Sequence, residues 1–304
     1  MWKTISLIIC TSIATGAHAT NWELKQKIKY RDSHQTSELK YKKSGKFDKE
    51  TVKEKNRWRS EVLLTATSKT TTDELDWVWR IGYKFERNDD SNHQFKEDGS
   101  LKKDKSRVEY ERTKLMGLGL NYKKLNVLGA DRWVIKTHFD SYFDIDLSAG
   151  HLAEDAKGYH GSTSGLEFRT KFTGEYSTGA MGWFITPMLM YRERGQSSWS
   201  DEQNDKFEPQ TKERRTEFGL WVNWLMPIDG IELFFGPVWQ REKEGEKQTD
   251  SSWKWDKEQR TYAHLMLEYE TPSHGLEMEF KVQYVFSGDN RHDTRYKFEI
   301  SYEF

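Results

Sequence analysis

Three things are scarce in this chain of 304 residues, and each scarcity narrows what it can be. There is one cysteine, Cys10, and it falls near the N-terminus. There is no apolar run of about 18 residues; the longest candidate is roughly 181–191, so membrane-spanning helices are excluded. There is no excess of positive charge, with 48 basic against 49 acidic residues, which argues against a nucleic-acid binder.

The first nineteen residues read as an export leader. Lys3 supplies the charge, Ile5 to Ala14 is largely apolar, and Ala17-His18-Ala19 is a small-x-small cleavage site. The reading divides the chain into a signal peptide, 1–19, and a single mature domain, 20–304. Cys10 leaves with the leader. A mature chain without thiols suits an oxidising compartment and excludes disulfide and cysteine–metal frameworks. No cofactor or metal is expected.

What remains is polar on average, with a hydrophobic fraction of 35% and a mean hydropathy of −0.94. Disorder would fit those values, but 14% aromatics and 13 tryptophans oppose it. The apolar residues are instead rationed by position. In the tail 294–304, Tyr296, Phe298, Ile300, Tyr302 and Phe304 alternate with Arg295, Lys297, Glu299, Ser301 and Glu303. That is the period of two of a strand with one apolar and one polar face.

Eleven further segments repeat the pattern, at about 22–31, 57–67, 75–86, 107–122, 132–146, 164–176, 181–192, 213–226, 231–241, 259–270 and 276–286. In 75–86, for example, Leu75, Trp77, Trp79, Ile81, Tyr83 and Phe85 oppose Asp76, Arg80, Lys84 and Glu86. In 132–146, Trp133, Ile135, Phe139, Phe143 and Ile145 are assigned outward, with His138, Asp140, Asp144 and Asp146 inward. Five connectors are short: 68–74, 124–131, 177–180, 227–230 and 271–275. The others are mostly long and charged, including 32–56, 87–106, 147–163, 193–212 and 242–258.

This architecture is expected to be an all-β, transmembrane, antiparallel up-and-down barrel of twelve strands, fourteen being the alternative. Short turns would lie at the periplasmic rim and long loops outside. No other strand-built structure satisfies its backbone in lipid. Aromatics sort toward both strand ends, with Trp22, Trp77, Trp133, Trp183 and Trp224 at one and Tyr30, Trp58, Phe85, Tyr191 and Trp239 at the other. A soluble sandwich has no reason to do this. A propeller would need four strands in each repeat interval where two are found. The expected address is the outer membrane of a Gram-negative bacterium.

Twelve strands enclose more space than side chains of an eight-stranded barrel fill, and the inward face is charged, so a hydrated pore is expected. Lys25, Lys27, Lys29, Arg31, Arg57, Arg59, Arg80, Lys84, Arg295 and Lys297 fall on neighbouring strands once the last closes on the first. They form a candidate track for an anionic solute, drawn in by the focused field. The competing reading is that acids across the lumen neutralise them. Lysine runs such as Lys102, Lys103 and Lys105 are read as solvated loop surface, with lipopolysaccharide contact as the alternative. No G-x-S-x-G or H-E-x-x-H motif is present, and His138 near Asp140 is read as pore lining, so no catalytic residues are assigned.

The leader, the twelve segments, the ending R-Y-K-F-E-I-S-Y-E-F and the stretch Lys27-Ile28-Lys29-Tyr30-Arg31-Asp32-Ser33 together resemble the oligogalacturonate-specific porin family, which includes sialic-acid channels. The resemblance implies a monomeric channel whose basic lumen residues guide acidic sugars. It also implies contacts with outer-membrane lipid, lipopolysaccharide and the barrel insertion machinery. This chain departs from the family in its longer first loop and in a lumen with nearly as many acids as bases. Related general monomeric porins of fourteen strands are the second resemblance, and a neutral-sugar or nucleoside channel is another reading; the non-transport alternative is a barrel acting through its loops, as an adhesin or envelope-stabilising protein.

Overall fold

A computed structural model describes residues 20–41, 47–69, 74–104, 106–151, 159–201, 206–271, 275–289 and 294–303. The leader and the residue Phe304 lie outside the described residues. Fifteen strands follow one another without a helix among them: β1 (Thr20–Tyr41), β2 (Phe47–Lys69), β3 (Leu75–Phe95), β4 (Leu101–Asp104), β5 (Arg107–Val127), β6 (Ala130–His151), β7 (Tyr159–Ser177), β8 (Trp183–Gln196), β9 (Trp199–Asp201), β10 (Lys206–Glu208), β11 (Thr211–Leu225), β12 (Ile231–Lys247), β13 (Trp253–Glu270), β14 (Leu276–Gly288) and β15 (Thr294–Glu303).

Twelve of them close a barrel. Each pairs antiparallel with its chain neighbour, and β15 pairs with β1 from Lys25↔Glu303 to Ser33↔Arg295. Closure removes every sheet edge, so the backbone is satisfied within the wall. The remaining three strands are accessories beyond the long-loop rim. β4 folds back on the end of β3, and β9 with β10 forms a separate hairpin.

The alternation in sequence becomes two faces. Outward positions are apolar and exposed all the way round; Trp22 is 64% exposed and Ile81 61%. A continuous belt of that kind far exceeds the apolar patches a soluble monomer tolerates, and lipid is the solvent that suits it. Aromatic pairs mark its margins. Trp183 and Trp224 stack at 5.1 Å near the short turns, and Tyr30 and Trp58 lie 4.4 Å apart toward the other rim.

The strands run further than the alternation alone indicated. Of the segment 32–56, read as one long loop with an extended hairpin top as its alternative form, residues 32–41 and 47–56 are the upper part of a β1–β2 hairpin, paired through Tyr41↔Phe47. Likewise β3 reaches Phe95 and β12 reaches Lys247. Above the membrane both faces of a strand meet water, so nothing forces an apolar alternation there. At the opposite rim the β5–β6 connection tightens to Leu128 and Gly129, with φ of 52° and 78°. Two residues of positive φ between paired strands make the turn whose twist matches a hairpin.

One assignment is corrected. Ile145, expected on the lipid face, is fully buried. The β5–β6 register shifts between Arg112/Lys114, where Thr113 stands opposite two residues of β6. Such a bulge changes the inside–outside parity of everything beyond it. The side chains of Asp144 and Asp146, assigned inward on either side of it, lie outside the described residues.

Candidate functional site: the charged lumen

Inward positions on adjacent strands sit side by side, so register decides which charges meet. Lys29 faces Glu299 across the β1–β15 seam, and Lys27 faces Ser301. The result is a carboxylate shared by three lysines: Glu299 accepts Lys27 at 3.4 Å, Lys29 at 3.2 Å and Lys297 at 2.7 Å. Glu279 takes the other side of Lys297 at 2.6 Å and Lys281 at 3.2 Å. Nearer the short-turn rim Lys25 pairs with Glu277.

A second group gathers on β2, β3 and β5. Glu86, nearly buried, accepts Arg59 at 2.7 Å and Arg57 at 3.4 Å, while Lys84 pairs with Glu111. Arg194 on β8 reaches within 4.0 Å of that same Glu111 on β5, although β6 and β7 separate the two strands in the wall. Contacts of this kind constrict the passage.

Lower on the same side, Arg80 pairs with Asp140, its single Nη2 donating to both carboxylate oxygens at 2.5 and 2.6 Å. Glycine makes room for it. Gly117 on β5 lies between their strands, and a Cβ there would stand 2.0 Å from Asp140 Oδ1. Gly119 does the same for His138. Both Asp140 oxygens are thus committed to Arg80, and Asp140 does not orient His138 as an acid–base partner.

Across the barrel the inner wall carries an apolar patch. Met188, Val238, Tyr262 and Val285 pack together, with Met190 and Trp221 against them. The indole N–H of Trp221, the hydroxyl of Thr186 and both ring nitrogens of His264 are buried on this wall without a protein partner. Polar groups so placed are ordinarily satisfied by water, which suits a wet interior.

Above that wall lies a cavity of about 190 Å³ lined by six cations: Arg31, Arg295 and Lys297 near the seam, and Arg215, Arg260 and Lys281 from β11, β13 and β14. Gln240, Gln283 and Tyr262 add hydrogen-bonding groups. Carboxylates back the cations and do not line the cavity: Glu217 pairs with Arg215, and Glu242 with Arg260 at 3.3 Å. The arrangement presents guanidinium and ammonium donors to one small space, the geometry that binds a carboxylate or phosphate group.

Of the ten residues of the sequence track, the structure brings Arg31, Arg295 and Lys297 into this chamber. Lys25, Lys27, Lys29, Arg57, Arg59, Arg80 and Lys84 stand in ion pairs along the wall. Arg215, Arg260 and Lys281 were missed because the track was extended from the seam toward β3 only; their parity within β11, β13 and β14 already marked them as inward. Nearer the outer mouth a second cavity of about 320 Å³ is edged by Glu213, Glu244, Glu246 and Asp256 with Arg194 and Lys254. Among the described residues no cluster of metal-ligating side chains occurs.

No family model and no curated protein matches the chain. Solved structures do. The β domain of the Bordetella autotransporter BrkA superposes with a TM-score of 0.56 at 10% identity, covering 93% of this chain and 100% of that one. An outer-membrane channel from Pseudomonas putida F1 gives 0.54 at 14% identity, covering 93% and 95%. At such identities the likeness is one of fold, and the fold is that of Gram-negative outer-membrane β-barrels.

Proposed function

We propose that the chain is an outer-membrane channel for passive entry of small hydrophilic solutes, with anionic solutes favoured at the six-cation chamber. The chamber is the observation that carries this reading. Cations converging on one cavity inside a low-dielectric wall raise the local concentration of an anion. Arg215, Arg260, Lys281 and Lys297 share carboxylates that back the cavity, so the preference comes from donors of one sign converging on a single space lined by no carboxylate among the described residues. Acidic oligosaccharides, the solutes implied by the resemblance to oligogalacturonate porins, carry carboxylates that arginine pairs bidentately. One chain encloses the whole passage, consistent with a monomer.

A second reading rests on the strand overhang: β12 and β13 continue well past Trp239, giving a large outer surface for adhesion. Planar-bilayer recording of the refolded chain separates the two. Steady conductance blocked by an acidic oligosaccharide supports the channel. A folded barrel without conductance supports the surface protein and overturns the channel.

A further inference from the structure

On the outer face of β11, β12 and β13, register rows climb from the lipid belt in a set order. Phe218, Trp239 and Thr261 form one row; above it come Thr216, Arg241 and Gln259, then Arg214, Lys243 and Lys257, then Lys212, Gly245 and Trp255. Phe218 is exposed to lipid and Trp239 closes the apolar belt. Two residues advance a strand by about 6.8 Å, or about 5 Å of height at barrel tilt. Arg241 therefore stands about 5 Å above the belt, in the headgroup layer, and the next row about 10 Å, at the outer edge of that layer, from which long lysine and arginine side chains reach back to it.

Four cations, Arg214, Arg241, Lys243 and Lys257, occupy those two rows. Among the described residues of the face, the carboxylate that meets them is Glu193 on β8, 3.2 Å from Arg214. In the rows above, Trp253 and Trp255 stack at 5.8 Å with 29° between their planes. Trp255 lies flat over Gly245, where a Cβ would come within 2.8 Å of its ring. Lys212 sits 4.8 Å from the Trp253 ring and Arg214 5.4 Å from Trp255, so the indoles are held in place on the barrel wall.

We propose that this strip is a binding site for a phosphorylated glycolipid of the outer leaflet, that is, lipopolysaccharide. Charge complementarity and depth select this occupant. The cation rows match the height of the glucosamine phosphates, and the indole pair above them offers the flat apolar surface on which sugar rings of the core stack. A protein partner would have no need for cations banded at headgroup level. The loop lysine runs, read from the sequence as solvated surface with lipopolysaccharide contact as the alternative, are separate from this strip, which lies on the barrel wall and is built by register from residues far apart in the chain. It is independent of what the lumen carries.

The test is binding of deep-rough lipopolysaccharide to the folded full chain in detergent, read by native mass spectrometry at several salt concentrations. Arg241→Glu with Lys243→Glu should weaken binding by at least about tenfold, since each charge-assisted phosphate contact contributes on that scale. Trp253→Ala with Trp255→Ala should weaken lipopolysaccharide but leave lipid A alone unaffected, and this pair serves if the charge variant fails to fold. Heat-modifiable mobility in gels checks folding in each case. Equal affinity for dephosphorylated lipid A would overturn the proposal. So would unchanged binding by both variants, or loss of a dimer of this chain in place of lipid.

Discussion

Arg80 on β3 and Asp140 on β6 meet across an intervening strand, over the bare backbone of Gly117 on β5. The pair ties three strands together from inside the barrel. Asp140→Ala strands a nearly buried guanidinium and should cost about 3 kcal/mol. Gly117→Ala places a methyl group on the carboxylate and should cost about 1–3 kcal/mol through overpacking. Equilibrium urea unfolding in lipid vesicles measures both. Wild-type stability in Gly117→Ala would show that the pair does not need the glycine.

Glu86 neutralises three cations, Arg57, Arg59 and Lys84. Glu86→Gln leaves them in excess on the lumen wall. The variant should lose about 2 kcal/mol of stability and move the zero-current potential under a salt gradient toward anion preference. A shift toward cations would contradict the assignment of Glu86 to the lumen.

Leu128 is a poor residue for its backbone. Its φ of 52° is left-handed, it is strongly exposed, and Gly129 follows it. Leu128→Asn creates the Asn-Gly pair that such turns favour, and should stabilise the barrel by about 1 kcal/mol. Urea unfolding reads the gain; a loss would mean that Leu128 has contacts outweighing its backbone strain.

Ile145 apart, the lipid face was legible in the sequence, and the lumen was not. Outside, lipid is a uniform solvent, so every second residue must be apolar whatever its neighbours are, and Trp22, Ile81, Phe218 and Leu265 follow that rule. Inside, the solvent is other side chains. In 183–190 both faces are apolar, so nothing in the alternation announces that Met188 and Met190 line an apolar patch. Arg260 could be placed inward by parity, but its meeting with Arg31 follows from how β13, β14, β15 and β1 lie around the wall. Ile145 was misplaced because a bulge leaves no mark in a period of two. The glycines of 117–119 were the overlooked signal: a bare inner position means that a neighbour leans across it.

Glu244 sits on the overhang of β12, beyond Trp239. Burial and the neighbouring Glu242, Glu258, Asp256 and Glu246 push its carboxyl above the ordinary range. A raised carboxyl favours the folded hairpin in its protonated form, so its contribution is present at low pH and fades as pH rises through the folded value. Lowering the pH toward the ordinary carboxylate range should neutralise Glu244 ahead of ordinary carboxylates and increase anion preference. Glu244→Gln should shrink that pH response; an identical response in the variant would assign it to other groups.

The most direct test of the account is the zero-current potential of single channels under a salt gradient, for the wild-type chain and for Arg31→Ser with Arg295→Ser. These two residues face each other's strand at the seam and open on the chamber. The account predicts anion preference in the wild type and a clear move toward cations in the double variant, with the channel still conducting. Cation preference in the wild type, or a double variant indistinguishable from it, would contradict the chamber as the selective element.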